Sequence, residues 1–480
     1  MIEVTQLKQL NRRDRRECDM RKQTKRNVRM RYAPILLGQC QNTTRLLHSP
    51  VHSFRYRDGK LFCEDVDLGL AANEVGTPLY VYSATTLLDH YTRLDAALAP
   101  LDHLICYAVK ANSNRAILKL LADAGAGFDI VSGGELFRAI NAGADPQKCT
   151  FAGVGKSPEE IEYALEQRVH SFNVESEAEL ELIDKIAAAK KARAPVALRV
   201  NPDVDPHTHK YISTGSHENK FGIALDHAAA VYERAAKMRN IDIVGVQMHI
   251  GSQITEAGPF AAAINKVGPF VRDLNSKHGI KFFSIGGGMG IIYRRALESG
   301  SGKWWYDHGD EFSAFSVRDY ADAIVPPLTE LGIRVLVEPG RFLVGNAGVL
   351  LTRVRYIKQS AKKKFAIVDA GMNDLIRPAL YQSYHEIVRV EEPSVNAKKE
   401  KIDVVGPVCE SGDFFALDRE MPDVREGDLL AVMSAGAYGF AMASNYNSRP
   451  LPAEALVCGG EVKLIRKRQT WGDLVRDEVD

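Results

Sequence analysis

From His103 to Arg341 short apolar runs alternate with amphipathic stretches, and the alternation repeats eight times. The runs are HLICYAVK, GAGFDIVS, CTFAGVGKS, HSFNVES, PVALRVNP, DIVGVQMHIGS, KFFSIGGGMG and IRVLVEPGR. Between them lie segments such as NRAILKLLADAG, GELFRAINAG, PEEIEYALEQ and EAELELIDKIAAAKK. In the first of these, Leu118, Leu121 and Ala122 have the i, i+3, i+4 spacing of one buried helical face. Strand then helix, repeated, requires right-handed crossovers and a parallel sheet. Eight such units predict an α/β fold with a closed (β/α)8 TIM-like barrel over residues 96–345. An open doubly wound sheet is the structural alternative.

Beyond residue 346 the pattern changes to β-rich runs separated by turn residues: VLLTRVRYIKQ, KFAIVDAG, HEIVRVEE, KIDVVGPV, DLLAVMSAG and EALVCGGEVKLIRKR. They predict a second, mainly antiparallel β-sandwich or barrel domain over 346–480. SFRYRDGKLFCE, within residues 51–95, is expected to pair into that domain. Residues 1–50 are arginine-rich and lack the apolar core of a secretory signal. They read as a disordered basic extension or as translation assigned too far upstream, with Met20 and Met30 as alternative starts.

Composition narrows the function classes. With 26% charged residues and a formal net charge of +1, the chain lacks the basic excess of a nucleic-acid binder. No apolar run reaches the roughly 18 residues that crossing a membrane requires. Seven cysteines, odd in number and without a CxxC pair, predict reduced thiols in a cytoplasmic protein, with neither a disulfide framework nor a metal site.

Barrel enzymes keep their chemistry at the carboxyl ends of the strands. Those ends carry Lys110, Asp129 with Ser132, Asn173 with Glu175, Arg199, His249 with Ser252, the turn Gly286-Gly287-Gly288, and Glu338 with Arg341. Lys110 stands where an apolar run stops. Burial there predicts a lowered pKa and a neutral amine able to form a Schiff base. A glycine turn between strand and helix presents bare N–H groups to an anion. His249, beside the small Ser252, suits stacking on a flat ring, or is a satisfied core histidine. Glu338 either pairs with Arg341 or holds a pyridine nitrogen protonated. Asp129 and Arg199 are either structural ion pairs or supports of the site. Taken together, these groups describe a pyridoxal 5'-phosphate site.

YAVKAN (107–112), FDIVSGGEL (128–136), HKYISTGSHENKFGI (209–223), HIGSQI (249–254), GGGMG (286–290), EPGR (338–341), GMNDLIRPALY (371–381), CESGDFFA (409–416) and GAYGFAMASNYNSRPLPAEALV (436–457) carry a resemblance to a known family. The chain resembles the diaminopimelate decarboxylases, within the fold type III, alanine-racemase-like pyridoxal-phosphate decarboxylases. CESGD and NYNSRP are particular to the diaminopimelate branch.

The resemblance implies decarboxylation of meso-2,6-diaminopimelate to L-lysine and carbon dioxide, the last step of lysine synthesis. It implies that Lys110 binds the cofactor covalently, that His249 stacks on its ring, and that Ser252 with Gly286, Gly287 and Gly288 takes its phosphate. Glu338, Pro339, Gly340 and Arg341 line the cofactor, with Asp129, Arg199 and Tyr438 in support. Arg341, Arg377, Tyr381, Glu410 and Tyr438 match substrate-holding residues. Cys409 matches a proton donor that, with Glu410, reaches into a neighbouring subunit's site, so a homodimer with shared sites is implied. An insertion, residues 294–312, departs from the family's usual length and either covers the site or decorates its rim.

Overall fold

The computed structural model of the chain describes residues 51–205, 220–301 and 316–479. The basic segment 1–50, residues 209–219 of HKYISTGSHENKFGI and residues 302–312 of the insertion lie outside the described residues.

Chain entry is through a small antiparallel sheet of β1 (Phe54–Arg57), β2 (Lys60–Cys63) and β3 (Val66–Asp67), followed by β4 (Leu79–Ser83). The eight apolar runs then form β5 (His103–Ala108), β6 (Gly127–Ile130), β7 (Cys149–Phe151), β8 (Ser171–Val174), β9 (Ala194–Asn201), β11 (Ile241–Met248), β12 (Phe282–Ser284) and β13 (Arg334–Val337). A two-residue β10 (Ile223–Ala224) adds to β9. All eight pair in parallel, and β8 pairs with β9 to close the ring. The predicted barrel is observed.

Leu104, Cys106, Ala197, Val244, Phe282 and Leu336 cluster as a plug inside the barrel. A filled interior leaves room for chemistry only at the mouth. Outside, Leu118 and Leu121 on the helix Arg115–Asp123 are fully buried, as their spacing predicts, and the Asn114 side chain caps that helix by accepting from the Ala116 N–H.

The second domain contains β14 (Gly348–Gln359), β15 (Lys364–Val368), β16 (Ile387–Arg389), β17 (Lys399–Val405), β18 (Phe414–Pro422), β19 (Leu429–Val432), β20 (Ala453–Cys458) and β21 (Glu461–Arg466). β14 is its hub and pairs antiparallel with β4, β15 and β19. Two of the pairings are parallel, β15 with β17 and β4 with β20. The domain is mainly antiparallel, as expected.

Three details differ from the sequence reading. The segment SFRYRDGKLFCE supplies β1 and β2, which with β3 make a separate sheet. It meets the larger domain through the bridge Lys60 to Glu391, the Tyr56 hydroxyl donating to the Arg389 carbonyl at 2.6 Å, and apolar packing of Phe54 and Leu61 with Leu79, Val349 and Ala431. The strand that does enter the sheet from the N-terminal side is β4, whose five residues are all buried. β18 was not anticipated because its charged, largely exposed second half hides the strand pattern. Finally, Cys63, Cys106, Cys149 and Cys409 are free thiols, but Cys458 is disulfide-bonded, against the expectation of thiols throughout.

The described part of the insertion packs inward. Ala296 is buried in the apolar cluster under β1 and β2, its carbonyl accepts from His52 Nε2 at 2.6 Å, and the Ser299 carbonyl accepts from the Val51 N–H at 3.0 Å.

Candidate active site

Lys110 sits on a 3-10 turn, Val109–Ala111, directly after β5. Its neighbours Val109 and Ala111 are buried, while its own side chain is 42% exposed. Asn112 fixes the turn: its carbonyl accepts from Tyr107 Oη at 3.0 Å and its side chain donates to the Gly436 carbonyl at 3.3 Å. YAVKAN is therefore tied to both barrel and β domain.

The structure corrects the expectation of a neutral, low-pKa amine. Lys110 Nζ donates to Asp129 Oδ2 at 3.2 Å. Partial desolvation works to lower the amine, but Asp129, Tyr438 and Glu338 outweigh it and hold the ammonium above its ordinary value. The partner is hidden from local sequence because it arrives across the sheet, Ala108 on β5 being in register with Asp129 on β6.

Glu338 follows β13 and is 6% exposed. Its Oε1 accepts from Ser284 Oγ at 2.6 Å and its Oε2 from Gln247 Nε2 at 3.0 Å, so two neighbouring strands fix the carboxyl. Burial, then Asp129, pushes its pKa up to about 7. Of the two readings for Glu338, pairing with Arg341 does not occur. Ser284 and Gln247 escaped the sequence reading, although each lies two residues before a chosen one, Gly286 and His249.

His249 extends β11. Its Nδ1 accepts from the Gly287 N–H at 3.2 Å, which puts the ring proton on Nε2. Burial, then Arg199 and Lys110, holds the imidazole well below its ordinary pKa, so it is neutral. Arg199 itself is 7% exposed and is bound by both oxygens of Glu175, at 3.2 and 3.1 Å. Asn173 is buried within the barrel and Ser132 caps the helix Gly133–Asn141.

The glycine turn is packed against backbone, with the Gly286 N–H donating to Ser284 Oγ at 3.3 Å and the Gly287 N–H to His249 Nδ1 at 3.2 Å. A Cβ at Gly286 would lie 2.4 Å from the Met248 carbonyl oxygen, one at Gly287 2.1 Å from that of Glu338, and one at Gly288 2.6 Å from that of Gly251. No other residue type fits at these positions. The EPGR turn in its turn locks onto the lysine turn: the Pro339 carbonyl accepts from the Ala108 N–H at 3.1 Å, and Gly340 backs onto Ala108 and Ala111.

Arg341 and Arg377 open two short helices, Arg341–Val344 and Arg377–Tyr381, the second ending in Tyr381. They are 7% and 5% exposed. Arg341 donates to Ser252 Oγ at 3.1 Å, Arg377 donates to His385 Nε2 at 3.1 Å, and both donate to Tyr293 Oη. Among the described residues neither guanidinium has a carboxylate partner. Two dry cations without a counter-ion form a site for an anion. Tyr438 closes the group: the Arg341 guanidinium carbon lies 4.9 Å from its ring centroid. Its φ of 56°, unusual for an aromatic residue, is held by its N–H donating to the Ala111 carbonyl at 2.8 Å.

Cys409 and Glu410 are exposed on the connection from β17 to β18. The Cys409 N–H donates to Asn447 Oδ1 at 2.9 Å, and Asp413 accepts from the Met372 and Val408 N–H groups, each at 2.6 Å. These bonds explain why CESGD, GMND and NYNS occur together. Among the described residues, no hydrogen bond or ion pair joins Cys409 or Glu410 to Lys110, Glu338 or the arginine pair. The other site residues converge on one barrel mouth, and among the described residues no bond ties this pair to them.

Residues 85–345 match the family described as pyridoxal-dependent decarboxylase, pyridoxal binding domain. That span holds all eight barrel strands and every residue from Lys110 to Arg341 discussed above. The class is thus a carboxy-lyase that depends on pyridoxal phosphate. Similarity to whole proteins narrows it. The chain is 47% identical over 426 residues to diaminopimelate decarboxylase of Aquifex aeolicus, covering 88% of this chain and 97% of that protein. Against the Pseudomonas aeruginosa diaminopimelate decarboxylase it is 49% identical over 427 residues, covering 89% and 98%. Among solved structures it is similar to diaminopimelate decarboxylase of M. jannaschii in co-complex with L-lysine, with a TM-score of 0.81 at 38% identity over 89% of this chain and 98% of that one. The chain belongs to the diaminopimelate decarboxylase family.

Proposed function

We propose that this protein removes one carboxylate of meso-2,6-diaminopimelate, giving carbon dioxide and L-lysine, as a cytoplasmic enzyme of lysine synthesis. The observation that carries the reading is the buried Arg341–Arg377 pair, built for an anion and set beside the Lys110 and Glu338 turns. A diamine bearing a second carboxylate satisfies it. Ornithine, without that carboxylate, would leave buried charged donors unpaired at a cost of about 1–3 kcal/mol each.

The residues present fit pyridoxal phosphate. The glycine turn brings backbone close to the mouth with no side chain in the way, Asp129 Oδ1 is buried without a hydrogen-bond partner among the described residues, and Lys110 lies open at the mouth. Gly286, Gly287, Gly288 and Ser252 would hold the phosphate, His249 the ring face, Glu338 the ring nitrogen and Lys110 the aldehyde carbon. When bound, the cofactor supplies a pyridinium ring that accepts the electron pair left behind as carbon dioxide departs.

The protein's own groups do the rest. Lys110 must lose a proton before it can act as a nucleophile, and Asp129 Oδ2, at 3.2 Å, opposes that loss by stabilising the ammonium. Glu338, fixed by Ser284 and Gln247, keeps a proton on the ring nitrogen. Neutral His249 covers the ring without adding charge. Arg341, Arg377, Tyr381 and Tyr438 orient the end of the substrate that does not react.

Cys409 donates the proton that replaces carbon dioxide, and Glu410 binds the distal ammonium, both from a partner protomer of a homodimer. Their exposure, and the absence among the described residues of any hydrogen bond or ion pair from them to Lys110, support this arrangement. Cys409→Ala is expected to lower kcat about a hundredfold with cofactor absorbance unchanged. Mixing that variant with Lys110→Ala and allowing subunits to exchange restores about a quarter of wild-type activity if sites are shared across a two-fold interface. No recovery on mixing would place Cys409 in its own protomer's site. For the reaction as a whole, incubation with meso-diaminopimelate followed by mass and chiral analysis must yield L-lysine; racemised substrate with no carbon dioxide would refute the proposal.

A further inference from the structure

Tyr293 stands just beyond the glycine turn, in GGGMGIIY, and has no part in the chemistry above. Its hydroxyl oxygen accepts one N–H from Arg341 at 2.5 Å and one from Arg377 at 2.8 Å. A phenol oxygen has two lone pairs, so both are taken, and its own hydrogen has no acceptor among the described residues. The ring sits edge-on against His385, with centroids 5.2 Å apart. Burial, then Arg377, pushes the His385 pKa down to about 3, so this imidazole is neutral. It accepts from Arg377 through Nε2 and donates to the Met433 carbonyl from Nδ1 at 2.8 Å. Ser252 and Ser383 complete the ring of acceptors around the guanidiniums.

Every acceptor in that set is uncharged, so the pair of arginines keeps both its positive charges. A carboxylate in place of Tyr293 would cancel them and compete with an anionic ligand. A residue without a polar atom would leave two charged N–H groups unpaired and the cations free to spread apart. Tyrosine does neither and still has a donor to spare.

We propose that Tyr293 is a specificity-determining residue that sets the spacing of Arg341 and Arg377 and offers its own O–H as a third donor to a substrate carboxylate. This rests on the reading of the arginine pair as a carboxylate site. The electrostatics agree: burial alone would raise the phenol's pKa, but Arg341 and Arg377 outweigh it and hold it below its ordinary value, making the hydroxyl a stronger donor.

The test compares wild type and Tyr293→Phe as full-length holoenzymes, by titration calorimetry with L-lysine and with 1,5-diaminopentane, which has no carboxylate. L-Lysine is expected to bind about tenfold more weakly to the variant, about 1.4 kcal/mol, with 1,5-diaminopentane unaffected. In turnover, KM for diaminopimelate rises by about the same factor while kcat stays within about twofold. Equal weakening of both ligands would assign Tyr293 a merely structural role and overturn the proposal, as would unchanged L-lysine affinity. The ratio of the two affinities does not depend on the fraction of folded protein, so partial misfolding cannot mimic the expected result. Wild-type protein that leaves diaminopimelate intact would instead overturn the functional reading beneath it.

Discussion

Lys110→Ala is expected to abolish turnover, with a fall on the order of a thousandfold or more, because the nucleophile itself is removed. Wild-type protein reduced with borohydride in the presence of pyridoxal phosphate should carry the label on the peptide containing Lys110, and the variant should carry none. Because Lys110 is paired with Asp129, the pH profile should also respond to the partner. Asp129→Asn removes the strongest stabiliser of the ammonium, so the amine loses its proton at lower pH and the alkaline requirement for cofactor attachment relaxes. An unchanged rate of attachment against pH in Asp129→Asn would separate the two residues.

Glu338→Gln should lower kcat about a thousandfold at saturating substrate, within the range for losing a positioned proton-holding group, while leaving the cofactor bound. It has a second signature in stability. On folding, this acid rises from its ordinary 4.5 to about 7, so the folded protein keeps a proton that the unfolded chain has released. Its contribution to the stability of the cofactor-free protein is therefore most favourable below about 4.5 and falls as pH climbs to about 7. Glutamine does not titrate. Thermal melts of the cofactor-free variant should lose that downward limb and gain stability at pH 8 relative to wild type, even as catalysis collapses. A variant that keeps the wild-type pH dependence of melting would show that Glu338 is not the buried acid responsible.

How much of this was legible beforehand divides along physical lines. All eight barrel strands could be read because parallel strands covered on both sides are continuous apolar runs, such as HLICYA. Groups named for their chemistry at strand ends, Lys110, His249, Glu338 and the glycine turn, do meet at one mouth, since a closed barrel brings every strand end together. What could not be read depends on contacts across the sheet. The lysine's charge state is set by Asp129 from the adjacent strand, and Glu338 is held by Ser284 and Gln247 from two others. Tyr293 and His385 come from different domains and acquire meaning only where two arginines converge between them. β18 was concealed by its own polar residues, and β4 by its distance from the sheet it completes.

That last distance has a consequence for how the protein is made. β4 occupies residues 79–83 but takes its neighbours from β14, starting at residue 348, and from β20, ending at residue 458. On the ribosome the whole barrel emerges between them, so an apolar strand with two open edges waits for most of synthesis before it can be capped. Chains that stop short of residue 453 leave it permanently half-paired. Premature termination should therefore yield aggregates rather than a soluble barrel, and nascent protein should depend on chaperones until its final hundred residues arrive.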